Sequence, residues 1–80
     1  MKAIINNVNI RGCEPKENKK GEPYLLVRFE DEYGKAAEFV DKDMSRQAYY
    51  KRNTDGTLTV DIEVGKYTTI RIVDFKMQEA

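Results

Sequence analysis

The stretch GEPYLLVRFED, residues 21–31, combines a chain-breaking turn with an alternation of side chains that is typical of a β-strand. Gly21 and Pro23 supply the break, and in the extended segment after them successive side chains point to opposite faces. One set is apolar and is predicted to face the core: Leu25, Val27 and Phe29. The other set is mixed and is predicted to form an outer surface: Tyr24, Leu26, Arg28 and Glu30.

This outer surface places an aromatic ring and a cation, Tyr24 and Arg28, two pleats apart on one strand. Three lysines come shortly before them: Lys16, Lys19 and Lys20. Stacking on an aromatic ring is worth about 1–3 kcal/mol per base and tolerates any base, while cations neutralise the phosphates. The stretch therefore favours a surface that binds single-stranded nucleic acid.

Composition limits the other functions open to this chain. Its 80 residues predict one domain, 1–80, and contain no histidine and one cysteine. A glycine-rich phosphate loop is also absent from the sequence, so nucleophile–base pairs and transition-metal sites lack their usual parts. A carboxylate site for Mg²⁺ is the one enzymatic alternative, and its candidate ligands are Glu30, Asp31, Glu32, Asp41 and Asp43. We expect a protein that is not an enzyme and that holds no cofactor or metal.

The sequence also bears on location. No apolar run approaches the roughly 18 residues that a membrane-spanning helix requires. Cys13 is the single cysteine, so an intrachain disulfide is impossible, which fits a reducing compartment. The prediction is a cytoplasmic protein without a membrane partner.

Alternating apolar residues predict four further strands around the one in residues 21–31. The predicted set is Lys2–Arg11, Tyr24–Asp31, Ala36–Val40, Thr57–Val64 and Tyr67–Lys76, with a frayed tail over 77–80. Ile4, Val8 and Ile10 are expected on one face of the first strand, and Gly12–Glu22 is expected to be a polar loop. The apolar phase changes within the last strand, which indicates a β-bulge or a closing edge.

Residues Asp41–Arg52 lack strand alternation and have two interpretations. Asp41 or Asp43 would cap a short helix. The alternative is a hairpin that pairs Tyr49–Arg52 with Thr57–Val60 across an intervening turn.

The order of these elements predicts an all-β fold, namely a small five-stranded antiparallel OB-like barrel with one short helix between strands 3 and 4. Barrels of this type bind oligonucleotides on strands 2 and 3 and the nearby loops. The same periodicity also suits an SH3-like barrel, so the pattern alone leaves both open.

Two short motifs resemble a known family. Lys19-Lys20 followed by Gly21-Glu22-Pro23-Tyr24, and later the segment GTLTVDI at 56–62, are similar to the filamentous-bacteriophage type of single-stranded DNA-binding, helix-destabilising protein. The resemblance implies an OB-type fold, a symmetric homodimer and cooperative, sequence-tolerant coating of single strands in the replication of a phage or mobile element. By position, it implies that Tyr24 is the binding tyrosine, Leu26 its apolar neighbour, and Lys19 or Lys20 the cation before the turn.

The predicted partner is single-stranded DNA, with RNA as the alternative, bound by a set of basic, aromatic and apolar side chains. The candidate residues are Arg11, Lys16, Lys19, Lys20, Tyr24, Leu26, Arg28, Tyr49, Lys51 and Arg52. A second hypothesis is a non-enzymatic interaction module that pairs with a protein through an exposed strand edge. The formal charge of zero, from 14 basic and 14 acidic residues, favours that second hypothesis.

Overall fold

The computed structural model describes residues 1–78, which form five strands and one short 3₁₀-helix. These elements are β1 (Lys2–Glu17), β2 (Pro23–Glu30), β3 (Ala36–Asp41), the helix η1 (Met44–Tyr49), β4 (Asp55–Glu63) and β5 (Thr69–Met77). The predicted mostly-β class is thereby confirmed, as are all five strands and the short helix between the third and fourth.

The strands form one sheet that closes on itself as a ring. Its order is β1-β2-β3-β5-β4, and β1 pairs with both β2 and β4. The prediction of a purely antiparallel sheet is wrong, because β3 and β5 run parallel where Val40 pairs with Arg71 and Asp41 pairs with Ile72. The parallel pair arises because the chain crosses the end of the sheet through η1, adds β4 beside β1, and returns with β5 alongside β3.

A bulge in β1 corrects the predicted core face of the first strand. Ile5 pairs with Leu58 and Val8 with Gly56, so β1 has one extra residue there, and Asn7 takes a left-handed φ of 57°. The extra residue reverses the alternation. Val8 and Ile10 are buried as predicted, whereas Ile4 lies on the outside with 66% of its surface exposed.

The predicted polar loop Gly12–Glu22 is largely strand. After a second irregularity at Arg11, β1 continues to Glu17 and pairs with β2 as far as Pro23. The turn is held by the Asn18 side chain, whose Oδ1 accepts hydrogen bonds from the backbone N–H groups of Lys20 (2.9 Å) and Glu22 (3.0 Å). β4 stops pairing with β1 at Asn9, so beyond that residue the edge of β1 that faced β4 has no strand partner among residues 1–78. We call the part of the β1–β2 hairpin that extends past β4, residues 12–28, the arm.

The core fills the inside of the ring. Its buried members come from β1, β2, β4 and β5 and from the residue that follows η1: Val8, Ile10, Leu25, Val27, Phe29, Tyr50, Leu58, Val60, Ile72 and Phe75. The predicted inward face of β2 is thus confirmed. Phe39 is half-buried and packs edge-on against Phe29, with ring centroids 5.3 Å apart.

The segment between β3 and β4 is the predicted short helix, and the alternative hairpin through Tyr49–Arg52 is wrong. Its N-cap is Asp43, whose Oδ1 accepts a 3.0 Å hydrogen bond from the Ser45 N–H. Asp41, the other predicted cap, instead ends β3 with a fully buried side chain.

A buried polar network reinforces the short parallel junction between β3 and β5. Asp41 accepts hydrogen bonds from the Tyr50 hydroxyl (2.5 Å) and from Arg46 Nη1 (2.9 Å). Arg46 also donates to the Val73 carbonyl, so one guanidinium joins the end of β3 to β5. Because a buried carboxylate is costly unless it is paired and hydrogen-bonded, these donors are required for Asp41 to lie inside.

The last two strands follow the predicted alternation but not the predicted bounds, because β4 ends at Glu63 and leaves Val64 75% exposed, and β5 begins at Thr69 instead of Tyr67. Leu58, Val60 and Ile72 are buried, and the register between β4 and β5 shifts at Thr59/Val60, which confirms the predicted bulge. The predicted tail begins too early, because β5 includes Met77 and the Gln78 N–H donates to the Asp55 carbonyl at 2.8 Å. The remainder of that predicted tail, 79–80, lies outside the described residues. No helix in the described part of the chain is long and apolar enough to cross a membrane.

The Asp41 network predicts that Tyr50→Phe destabilises the protein. The substitution removes one donor to a buried carboxylate, and we expect a loss of about 1–3 kcal/mol in the free energy of unfolding, measured in urea by circular dichroism. Tyr49→Phe is the matched control, because Tyr49 is 47% exposed and its change should stay within about 0.5 kcal/mol. Equal stability of the two variants would contradict the network's role.

The Tyr50 hydroxyl should also make the free energy of unfolding depend on pH in the alkaline range. Burial, together with the neighbouring Asp41 carboxylate, raises the pKa of Tyr50 above its usual value. A raised pKa in the folded state contributes stability that is complete below about pH 10, where unfolded tyrosine ionises, and is lost as the pH rises further. The difference in unfolding free energy between the wild type and Tyr50→Phe should therefore narrow above about pH 10. A constant difference from neutral to alkaline pH would contradict this assignment.

Gly56 predicts a packing defect when a side chain is added. A Cβ there would lie 2.3 Å from the Lys76 carbonyl oxygen and 2.6 Å from the Phe75 ring. Gly56→Ala should lower the free energy of unfolding by about 3 kcal/mol, since neither neighbour can move without shifting β5. Gly12→Ala is the control, because its Cβ would have no atom within 4 Å, and the two variants should differ clearly in urea unfolding.

Candidate nucleic-acid interface

The outward side chains of β1, β2 and β3 form a continuous surface, which we call the outer face. Strand register arranges it in rows across the sheet. In the first row Lys16 lies opposite Tyr24, in the second Glu14 and Val40 flank Leu26, and in the third Gly12 and Glu38 flank Arg28. The predicted outer surface of β2 is therefore confirmed as a surface.

The first two rows hold an apolar strip. Tyr24, Leu26 and Val40 are each partly exposed, and Tyr24 and Val40 line a shallow groove of about 310 Å³. Polar residues complete the rim of that groove, among them Asn18, Glu22 and Lys42. An exposed ring beside two aliphatic side chains is a surface on which a flat aromatic ligand can stack.

The third row, together with Glu14 of the second row, forms an ion triad. Arg28 Nη2 lies 3.6 Å from Glu14 Oε1, and Arg28 Nε lies 3.6 Å from Glu38 Oε1. Glu14 also has its Oε2 3.7 Å from Lys16 Nζ. These residues are about half exposed, so the pairs contribute little stability, but they place two carboxylates beside Arg28, which sequence reasoning treated as a free phosphate ligand.

Two cations without an ion pair among the described residues lie at the end of the arm. Lys19 and Lys20 are in its turn, and both are exposed. Lys42 adds a cation next to Tyr24 that the sequence analysis missed. The sequence pattern could have indicated this position, because Lys42 continues the outward alternation of β3 after Glu38 and Val40.

The remaining predicted cations form a separate group near the other end of the outer face. Arg11 Nη1 donates to Asn53 Oδ1 at 3.2 Å, and Asn53 directly follows Lys51 and Arg52. Arg11 also lies 3.8 Å from Glu30. Arg11 and Lys16 are five positions apart along β1, a distance of roughly 17 Å, so the basic residues predicted from sequence form two groups.

The tyrosines differ in their surroundings. Tyr49, a predicted site residue, lies on η1 and not on the outer face, while its neighbour Tyr50 is buried. Tyr33 occupies the β2–β3 turn and is 80% exposed. A hydrogen bond to Glu32, together with the charge of that carboxylate, raises the pKa of Tyr33. The aromatic side chain of Tyr33 therefore lies in a negatively charged turn.

The acidic and sulfur-containing residues do not assemble a metal site in the part of the chain that is described. No group of three or more Cys, Asp or Glu side chains there is placed to hold a metal ion, and Asp41 is already bonded to Tyr50 and Arg46. Burial, reinforced by the charge of Asp41, raises the pKa of the Cys13 thiol, which keeps it in the weakly nucleophilic protonated form.

Comparison of the chain with protein-family models, with curated proteins and with solved structures finds no match. The outer face is therefore interpreted from its own geometry and charge.

Proposed function

We propose that this protein binds single-stranded nucleic acid, single-stranded DNA in the first place, on the outer face of an OB-type barrel. The ring order, the connection through η1 and the long β1 that pairs with two strands support the OB-type assignment. The lone Cys13 supports a cytoplasmic setting. The protein acts by binding alone, without an enzymatic step.

The observation that carries the proposal is the position of Tyr24. Its ring is partly exposed on β2, has the aliphatic Leu26 and Val40 in the next row, and has Lys16 opposite it and Lys42 at the shared groove. A base stacked on this ring has its phosphates within reach of lysines on both sides. This combination is the one that sequence-tolerant single-strand binding requires.

The phosphate path follows from the two cation groups. Lys19 and Lys20 at the end of the arm bind the backbone on one side of Tyr24. Arg11, Lys51 and Arg52 bind it beyond the ion triad. The centre of the outer face carries Glu14 and Glu38, so affinity is modest. Roughly five phosphate contacts give a salt slope of about −3.5 in a log–log plot.

Tyr24→Ala tests the stacking role. We expect a loss of about 1–3 kcal/mol in the free energy of binding to labelled oligothymidine, measured by fluorescence anisotropy at low salt with duplex as competitor. Tyr33→Ala is the matched control, because that ring is exposed in an acidic turn at the other end of β2 from Tyr24 and the arm, and it should bind as the wild type does. Unchanged affinity in Tyr24→Ala would refute the stacking assignment.

The double substitution of Lys19 and Lys20 by Gln tests the phosphate path. Removing two phosphate contacts should reduce the magnitude of the salt slope by about 1.4. Lys66→Gln and Lys76→Gln, in the β4–β5 turn and on β5, are exposed and off the three strands of the outer face, and they form the matched double control. A slope that stays at the wild-type value in the arm variant would show that these lysines do not contact phosphate.

A second candidate function is strand pairing with a protein, and one observation favours it. β3 pairs with β5 only at Val40 and Asp41 within residues 1–78, so 36–39 keep a backbone edge without a strand partner. An extended segment of another protein, or of a second copy in a homodimer, would add there by backbone hydrogen bonds. Such binding would be nearly independent of salt, and a failure to bind oligonucleotide at any salt would make it the better account.

A further inference from the structure

We infer that the free edge of β3 is a docking site for a basic, extended segment of a partner protein that has apolar side chains at alternate positions. This inference rests on the second candidate function, strand pairing with a protein, and adds the chemistry of the partner. It does not depend on single-strand binding, which is proposed to use Tyr24 and the arm.

The backbone of β3 offers hydrogen-bonding groups that point away from β2. The Asp31 N–H donates to the Lys35 carbonyl at 2.9 Å, so the β2–β3 ladder begins with a hydrogen-bonded pair. Hydrogen-bonded and non-hydrogen-bonded pairs alternate along an antiparallel ladder, so Ala36 and Glu38 direct their N–H and C=O groups away from β2. β5 pairs with β3 only from Val40 onward within residues 1–78, which leaves these groups without a strand partner.

Three apolar side chains lie beside this edge, and we call them the apolar floor: Phe39, Ile62 and Ile70. Val40 is paired with Arg71, so the preceding residues of β3 and β5 are level where the two strands separate. These residues are Phe39 and Ile70, and Ile62 is paired with Ile70 on the other side. All three pack against the core but are only partly buried. Every second side chain of a strand added to β3 would face the apolar floor, and apolar residues there would cover it.

The other strand edge of the hairpin arm is protected against such pairing. The Asn18 N–H donates to the Glu22 carbonyl at 3.0 Å, and alternation from that pair directs the backbone of Pro15 away from β2, to the free edge of β1. A proline at this position has no N–H to offer, which is a common protection of edge strands. Residues 36–39 contain no proline, so the edge of β3 remains open to a partner.

The charge around the β3 edge favours a basic segment. Residues 30–38 include four acids and one lysine, a formal charge of −3. Two arginines offset Glu30 and Glu38, whereas Asp31 and Glu32 have no ion pair within residues 1–78, so an excess of acid remains. The outward side chains of an added strand would lie next to Glu38, which is exposed. Opposite charges in cross-strand positions stabilise pairing and like charges destabilise it, so lysine or arginine is favoured there.

The experiment uses the full-length protein and labelled peptides of about six residues, a typical strand length, in which valine alternates with lysine. A matched acidic peptide has glutamate in place of each lysine. Affinities are measured by fluorescence anisotropy at moderate salt. The basic peptide should bind about tenfold more tightly than the acidic one, because the exchange replaces favourable cross-strand charge pairs with like charges.

Methylation of the peptide's backbone nitrogens tests strand pairing itself. Methyl groups on alternate residues remove the N–H donors from one edge of the peptide and leave the other edge intact. One of the two alternate patterns should weaken binding by about tenfold, and the other should leave it unchanged. This contrast uses the wild-type protein, so folding of a variant does not affect it.

Glu38→Pro blocks the edge of β3. The Glu38 N–H faces away from β2, so the substitution removes no bond of the β2–β3 ladder, and we expect about tenfold weaker binding of the basic peptide. Glu38→Gln is the matched control, because it removes the same charge and keeps the N–H. It should weaken binding by only about threefold. Circular dichroism is used to verify that both variants are folded.

The outcomes separate this inference from the functions proposed above. Equal effects of the two methylation patterns overturn pairing with β3, and the second candidate function with it. An acidic peptide that binds as tightly as the basic one overturns the partner chemistry and leaves strand pairing standing. Self-association that excludes the peptide assigns the edge to a second copy and overturns the inference. Oligothymidine binding, measured in parallel, stands or falls separately from each of these results.

Discussion

Asp41 is a carboxylate without exposed surface, and closure of the sheet depends on how its charge is compensated. β3 and β5 share only two paired residues within the described chain, too few for a parallel junction to hold by backbone bonds alone. Tyr50 and Arg46, both supplied by the segment after β3, donate to the buried carboxylate, and Arg46 also binds the backbone of β5. The short helix and the residue after it therefore hold β3 to β5 and close the ring of strands.

The attachment of β3 to β5 also affects the candidate interface. β3 contributes Val40 to the apolar strip and Glu38 to the ion triad, while the network begins at Asp41 in the same strand. A firmly placed β3 keeps these side chains in register with Leu26 and Arg28 on β2. Preorganisation of this kind lowers the ordering cost of binding, which is important for a face whose charges are nearly balanced.

Paired and unpaired cations occupy different parts of the outer face. Ion pairs hold Arg28 and Lys16 to carboxylates on the face, whereas Lys19, Lys20 and Lys42 lie at its rim without an ion pair among residues 1–78. Uncompensated positive charge is thus strongest at the edges of the outer face, and carboxylates and apolar side chains occupy its centre. A chain with a formal charge of zero can have a surface for nucleic acid only by such segregation.

The sequence by itself determined the strands, because alternation of apolar residues is a local property: the inward Leu25, Val27 and Phe29 and the outward Tyr24 follow from it directly. Tertiary structure decided the rest. The bulge at Asn7 that exposes Ile4, and the pairing that turned a predicted loop into the arm, depend on partners distant in sequence. Likewise, Asp41 is buried and Arg28 is paired with Glu14 and Glu38 only because the tertiary fold brings those groups together. The local sequence pattern contains no information about cross-strand neighbours.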